Sequence, residues 1–234
     1  MDPSGERTET MKDTQRWAAV IFYALAMALV ESAVVAYLRA LLDRPDPYMP
    51  SPLEVPAWVI QTEIVREAAT IAMLIAVGWL AGQTGRTRFG YFLIAFGVWD
   101  IFYYVFLVPL TGWPGSVMDW DVLFLIPLPW WGPVLAPVLI ASLMVVAGTM
   151  MSQLQQGQRS LWPGRRPWGL SLAGALVALY VFMADAIRVA GEGYETVQKM
   201  QPTWFNWPLF AVALVLLAAP IADMWRQYSG NSRG

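Results

Sequence analysis

Residues 17–38 read WAAVIFYALAMALVESAVVAYL, a run of 22 residues with one charge, at Glu31. At ~1.5 Å per residue a helix of that length reaches about 33 Å, enough to cross a hydrocarbon core of ~30 Å. Residues 17–30 alone have the length of a signal-peptide apolar region. The run continues past Glu31 to Leu38 without a small-residue cleavage site, so it reads as a retained helix. Five further apolar stretches follow, at 57–81, 89–110, 132–151, 168–189 and 204–225. The sequence therefore predicts an all-α, polytopic transmembrane bundle with six crossings. Residues 17–226 form the membrane domain, 1–16 a mobile cytoplasmic tail and 227–234 a short cytoplasmic C-terminal tail.

Composition agrees with that reading. Of 234 residues, 57% are hydrophobic and 14% charged, where a soluble domain carries ~25% charge, and the mean hydropathy is +0.47. There is no Cys and no His, which excludes disulfides, thiolate chemistry, iron–sulfur clusters, His-ligated haem and ordinary zinc centres. The two lysines, Lys12 and Lys199, lie outside the apolar stretches, so a mid-membrane Schiff base is not expected. No cofactor is predicted. A net charge of −2 with scattered basic residues carries no nucleic-acid signature.

Orientation follows from where Lys and Arg fall. One side collects Arg7, Lys12, Arg16, Arg86, Arg88, Arg159, Arg165, Arg166, Arg226 and Arg233; the other has Arg39, Arg44, Arg188 and Lys199. Positive residues stay cytoplasmic, which predicts an inner-membrane protein with both termini inside. Trp58, Trp113, Trp120, Trp204 and Trp207 then form an outer aromatic belt, and Trp17, Trp79, Trp162, Trp168 and Trp225 an inner one. The pair Gly78 and Gly82 is a lone small-xxx-small motif, suited to packing within the chain or between chains.

Residues 109–137, PLTGWPGSVMDWDVLFLIPLPWWGPVLAP, break the regular pattern. A helix from Asp121 to Met151 would be roughly 46 Å long at ~1.5 Å per residue, too long for one straight crossing. Pro127, Pro129, Pro133 and Pro137 each lack a backbone donor. The sequence thus predicts a Pro-broken segment between the third and fourth helices, with residues 121–126 as a short interfacial or half-inserted helix.

Ionisable groups inside apolar spans are costly, so their positions are informative. Glu31, the trio Glu63, Arg66 and Glu67, then Asp100, and finally Asp185 with Arg188 all fall at one depth, in the outer half of the predicted bilayer. Helical spacing puts Glu63, Arg66, Glu67 and Thr70 on one broad face, and Asp100, Tyr103 and Tyr104 on another. Four helices are thus expected to converge on a layer where five acids meet two arginines. The surplus demands protons, a cation or basic ligand, or water. Outer-loop acids Asp43, Asp46, Glu54, Asp119, Asp121, Glu192 and Glu195 either attract cations or form a solvated face.

Three functions fit. The first is a carboxylate-rich site that binds or moves a proton, cation or small polar solute. Glu31, Glu67 and Asp100 serve there as ligands or proton carriers, Arg66 and Arg188 balance charge, and Tyr103 and Tyr104 line the wall. If a metal binds, Glu31, Glu67 and Asp100 are its ligands. The second is a membrane-embedded enzyme acting on a lipid or isoprenoid through paired carboxylates. The third is a non-catalytic subunit or scaffold of a larger membrane complex, in which the charges neutralise one another. Membrane lipid is the partner common to all three; no protein partner is named by the sequence.

Overall fold

The structure, a computed structural model, describes residues 3–43, 56–125, 128–156, 159–160, 162–193, 196 and 201–231. Arg44, Asp46, Glu54, Ile126, Pro127, Glu195, Lys199 and Arg233 lie outside the described residues, as do the side chains of Arg7, Lys12 and Arg159. In chain order the elements are α1 (Pro3–Leu41), α2 (Ala57–Ala81), α3 (Gly85–Thr111), strands β1 (Trp120–Phe124) and β2 (Trp130–Pro133), and α4 (Leu135–Gln153). A small pairing of β3 (Gln155–Gln156) with β4 (Arg159–Ser160) leads to α5 (Arg165–Val189), α6 (Trp207–Leu217) and α7 (Ala219–Asn231). Among the described residues, six helical stretches are long and apolar enough to cross a membrane, α6 and α7 together making the sixth. They match the six apolar runs of the sequence to within a few residues at each end.

Two sets of contacts mark the two ends of the bundle. At one end Tyr91, early in α3, donates to the Asp13 carbonyl at 3.4 Å and accepts from Gln153 at the close of α4. Trp17 meets Thr149 across the same end, at 3.3 Å. At the other end Arg39, late in α1, reaches Asp121 beyond the close of α3. Helices α1 and α3 therefore run parallel, with α4 antiparallel to both. In the sixth stretch, Asp223 and Gln227 of α7 return to Gly164 and Trp162, just ahead of α5.

Small residues bring the helices together. A Cβ on Gly148 of α4 would come 2.4 Å from the Gly90 carbonyl of α3, and one on Gly97 would come 2.5 Å from the Ala141 carbonyl. Gly78 and Gly82 of α2 sit against Arg88 and Phe92 of α3, so this small-residue pair serves packing within the chain. Local signals set the helix limits. Thr84 and Thr87 form a reciprocal capping box at the start of α3, and Gly112 closes that helix with φ +76°, a conformation that suits glycine. Pro220 has no amide hydrogen, and the sixth stretch breaks at Ala218 just before it.

One expectation changes. Residues 121–126 were expected as a short helix; instead Trp120–Phe124 is a strand paired antiparallel with Trp130–Pro133, in the register Trp120 to Pro133 and Val122 to Trp131. Aromatic and β-branched residues favour extended backbone, and two strands that pair satisfy each other's polar groups where a frayed helix end would leave them open. Amides of Val134 and Leu135 then bond the carbonyls of Asp119 and Val117, tying the hairpin base to α4. Helix α1 begins at Pro3, continuous with the first apolar run, and the Asp13–Arg16 ion pair at 3.3 Å supports it one turn before Trp17.

Candidate functional site

The site is built where α1, α2, α3 and the hairpin meet. Glu31 on α1 and Glu63 on α2 hold Arg66 between them: Arg66 Nη1 pairs with Glu31, and Nη2 lies 2.7 Å from Glu63 Oε2. The i,i+3 spacing of Glu63 and Arg66 puts both on one face of α2, and the partner from α1 is what turns a surface pair into a bridge between helices. Thr70, one turn further along α2 and buried, approaches the other Glu31 oxygen at 3.5 Å. Glu67 is turned toward the hairpin, where its Oε2 accepts the Leu125 amide at 3.2 Å.

A second charged group lies above α3. Arg39 Nη2 is 3.7 Å from Asp121 Oδ1, and Tyr104 donates its hydroxyl to Asp121 Oδ2 at 3.1 Å. The Arg39 guanidinium lies 4.2 Å over the Trp113 ring. The Asp121 side chain is 3% exposed and that of Arg39 11%, so this pair is withdrawn from solvent. Trp113 was expected in an outer aromatic belt, yet it is buried, packed on Tyr104 and beneath Arg39. The loop after Gly112 folds it inward, and its indole nitrogen finds no hydrogen-bond partner among the described residues.

Tyr103 links the two groups, lying within electrostatic reach of Asp121, Arg39, Arg66 and Asp100. Asp100, one turn before Tyr104 on α3, faces the field of Asp121. Asp100 and the Tyr103 hydroxyl form no hydrogen bond or ion pair among the described residues. The Tyr103 backbone carbonyl is engaged, accepting from the buried Ser32 hydroxyl at 2.9 Å and fixing α1 against α3 at this level. In all, Glu31, Glu63, Glu67, Asp100 and Asp121 share the site with Arg66 and Arg39, an excess of three acids.

The structure does not bring Asp185 and Arg188 to this site. They pair with each other one turn apart on α5, and Asp185 Oδ2 also accepts the Thr203 amide at 2.9 Å. Among the described residues, neither forms a hydrogen bond or ion pair with α1, α2 or α3. Helix α5 packs chiefly on α6, with α4 and α3 between it and the acids of α1 and α2. The expectation that they converge with the acids of α1, α2 and α3 therefore changes: they lie elsewhere around the bundle. Their places are taken by Arg39 and Asp121, which sequence reading assigned to the outer flank and an outer loop. A partial signal existed: Arg39 follows Glu31 by eight residues, which leaves it only about 80° round the helix and two turns further on. Nothing in the sequence shows that the loop carrying Asp121 folds back as a hairpin.

The arrangement combines one carboxyl bridge across helices, one buried Arg–Asp–Tyr network, and a carboxyl and phenol with bonding capacity unused between them. Such groups can hold a proton, a cation or water. Glu31, Glu67 and Asp100, the set named for a metal, do not close into a ligand group; no cluster of three or more acidic side chains among the described residues is placed to hold a metal ion. Comparison with protein-family models, with curated proteins and with solved structures finds no match.

Proposed function

We propose that this chain is a multi-pass inner-membrane protein with six crossings and both termini cytoplasmic, and that the polar site under the hairpin binds or conducts a proton or small cation. Six long apolar stretches with alternating direction support the membrane reading. The observation that carries the site reading is Asp100: a carboxylate inside an apolar helix, within the field of Asp121, with no cation or donor bonded to it among the described residues. In a medium of low dielectric a carboxylate does not stay charged and bare, so Asp100 takes up a proton, a cation or solvating water. Tyr103 supplies a hydroxyl that can pass a proton or solvate an ion, and Arg66 and Arg39 keep the remaining acids from repelling one another.

Proteoliposomes loaded with a pH-sensitive dye test this. Gradients of H⁺, Na⁺ or K⁺ across the membrane should drive a dye response above that of protein-free vesicles, and Asp100→Asn should abolish it while the far-ultraviolet helix signal is retained. A response that survives Asp100→Asn, or none above protein-free vesicles with any of the three ions, overturns the reading.

A second reading, a structural member of a larger membrane assembly, draws on one observation of its own. Arg66 is engaged by Glu31 and Glu63, and Arg39 by Asp121 and Trp113, so both cations serve to hold elements together.

A further inference from the structure

Asp100 stands between two unlike halves of the bundle. From Asp100 back to Tyr91, about 13 Å along α3 at ~1.5 Å per residue, the residues Tyr91, Ile94, Ala95, Val98 and Trp99 are buried in one apolar cluster. Its buried members on α1, Val20, Ala24, Met27 and Ala28, all precede Glu31, and Leu74 on α2 follows Thr70. Each helix therefore contributes to the cluster on the side of its polar group away from the hairpin. Tyr23 packs at the margin. Among the buried members, side-chain oxygen and nitrogen come from Tyr91 and Trp99 alone. The Tyr91 hydroxyl closes the far end by donating to the Asp13 carbonyl. The Trp99 indole nitrogen, a donor only, has no partner among the described residues. Behind this stretch α3 and α4 meet backbone to backbone, where a Cβ on Gly97 would lie 2.5 Å from the Ala141 carbonyl. Toward the hairpin the composition reverses. Tyr103 lies within the field of both Asp100 and Arg66, Glu67 reaches the Leu125 amide, and Arg66 and Glu63 remain partly exposed.

We propose that the ion site exchanges with the hairpin side alone, the apolar cluster around Ile94, Ala95 and Val98 being a closed gate, so that the chain moves an ion as a carrier whose gate must part and not through a standing pore. A proton travels only where an acceptor or a water lies within hydrogen-bond reach of the last one, and a metal cation only where oxygens replace its hydration shell. Close-packed aliphatic side chains supply neither over about 13 Å of helix, and gaps lined by such side chains stay dry. A lone indole N–H does not change this, because it has no lone pair to offer a cation or a proton. On the hairpin side Tyr103, Glu67, Arg66 and Glu63 recur turn by turn, and groups of that kind hold bridging water. The proposal rests on reading the group around Asp100 as an ion site, and adds the side from which that site is reached.

Single-cysteine labelling tests it, since the chain has no Cys of its own. The reagent is methanethiosulfonate-ethyltrimethylammonium, a cation that does not cross bilayers, applied to membrane vesicles of either orientation. Glu67→Cys should be labelled from the hairpin side and not from the other. Gln83→Cys, in the exposed turn between α2 and α3, should show the opposite pattern and so certify each preparation. Ala95→Cys, inside the gate, should stay unlabelled from both sides. Three outcomes overturn the proposal: labelling of Glu67→Cys from both sides, labelling of Ala95→Cys from either side, or no labelling of Glu67→Cys from the hairpin side where Gln83→Cys reacts from the other. Glu63→Cys, one turn nearer the hairpin end of α2, takes the place of Glu67→Cys where that variant does not fold. No ion flux enters the labelling, so a dye response that survives Asp100→Asn overturns the ion reading, whereas the labelling pattern decides access alone.

Discussion

Tyr104 donates its hydroxyl to Asp121 Oδ2 at 3.1 Å, so the middle of the third long helix is bonded to the first strand of the hairpin that follows it. The other Asp121 oxygen faces Arg39 at the far end of α1. One side chain thus joins α1, α3 and the hairpin, and it does so with two of its lone-pair directions, away from solvent. Charge-assisted bonds of this kind are the stronger class, and the cost of breaking one rises when a partner is left buried and alone.

This makes an ordering of two substitutions predictable. Tyr104→Phe removes one donor while Arg39 still compensates Asp121, and should cost about 1–2 kcal/mol. Asp121→Ala removes the carboxylate that Arg39 and Tyr104 share and should cost about 3–5 kcal/mol, the range for a broken buried pair. Thermal or denaturant unfolding in a single detergent measures both; the reverse order would mean that the hairpin is held by other contacts.

Asp100→Asn should leave the unfolding midpoint unchanged or raise it. Repulsion from Asp121 is relieved, a desolvated charge is removed, and no ion pair is lost. Arg66 is held by Glu31 and Glu63 instead. Clear destabilisation by Asp100→Asn would show a structural role. Glu31→Gln is the contrasting case, because it unpairs Arg66 across two helices and should lower the midpoint.

Close helix approach at Gly148 gives a prediction of packing. Gly148→Ala forces a methyl to 2.4 Å from the Gly90 carbonyl, so backbone must move and the loss should be about 1–3 kcal/mol. At Gly169, inside α5, a Cβ would meet nothing within 4 Å, and Gly169→Ala should be neutral or stabilise by up to about 1 kcal/mol through helix propensity. Paired melting curves decide it.

Orientation is open to a reporter experiment. A fusion at Gly115, between α3 and the hairpin, should report the outside, and one at Gly157 the cytoplasm, because ten Lys and Arg flank the second side against four on the first. The opposite pattern would invert the assignment.

Sequence by itself determined that there are six long apolar helices and roughly where each begins and ends. Hydropathy over ~20 residues is a property of the local chain, and caps such as Thr84 and Gly112 act within one turn. It also set where along their helices Glu31, Glu63, Arg66, Glu67 and Asp100 lie, since that position follows from the rise per residue. The pairing of Arg66 with Glu31 was legible for the same reason: equal depth and few alternative partners.

Only the tertiary structure decided the neighbours around the axis. Asp185 and Arg188 were expected beside the other charges and yet pair on α5 with Thr203, because the angular order of helices depends on close approaches such as Gly90 with Gly148, which no single helix encodes. The hairpin is likewise a tertiary outcome. Residues 120–124 are compatible with several local conformations, and it is pairing with 130–133, with the Leu125 amide bonded by Glu67 of α2 and Asp121 held by Arg39 of α1 and Tyr104 of α3, that selects the strand.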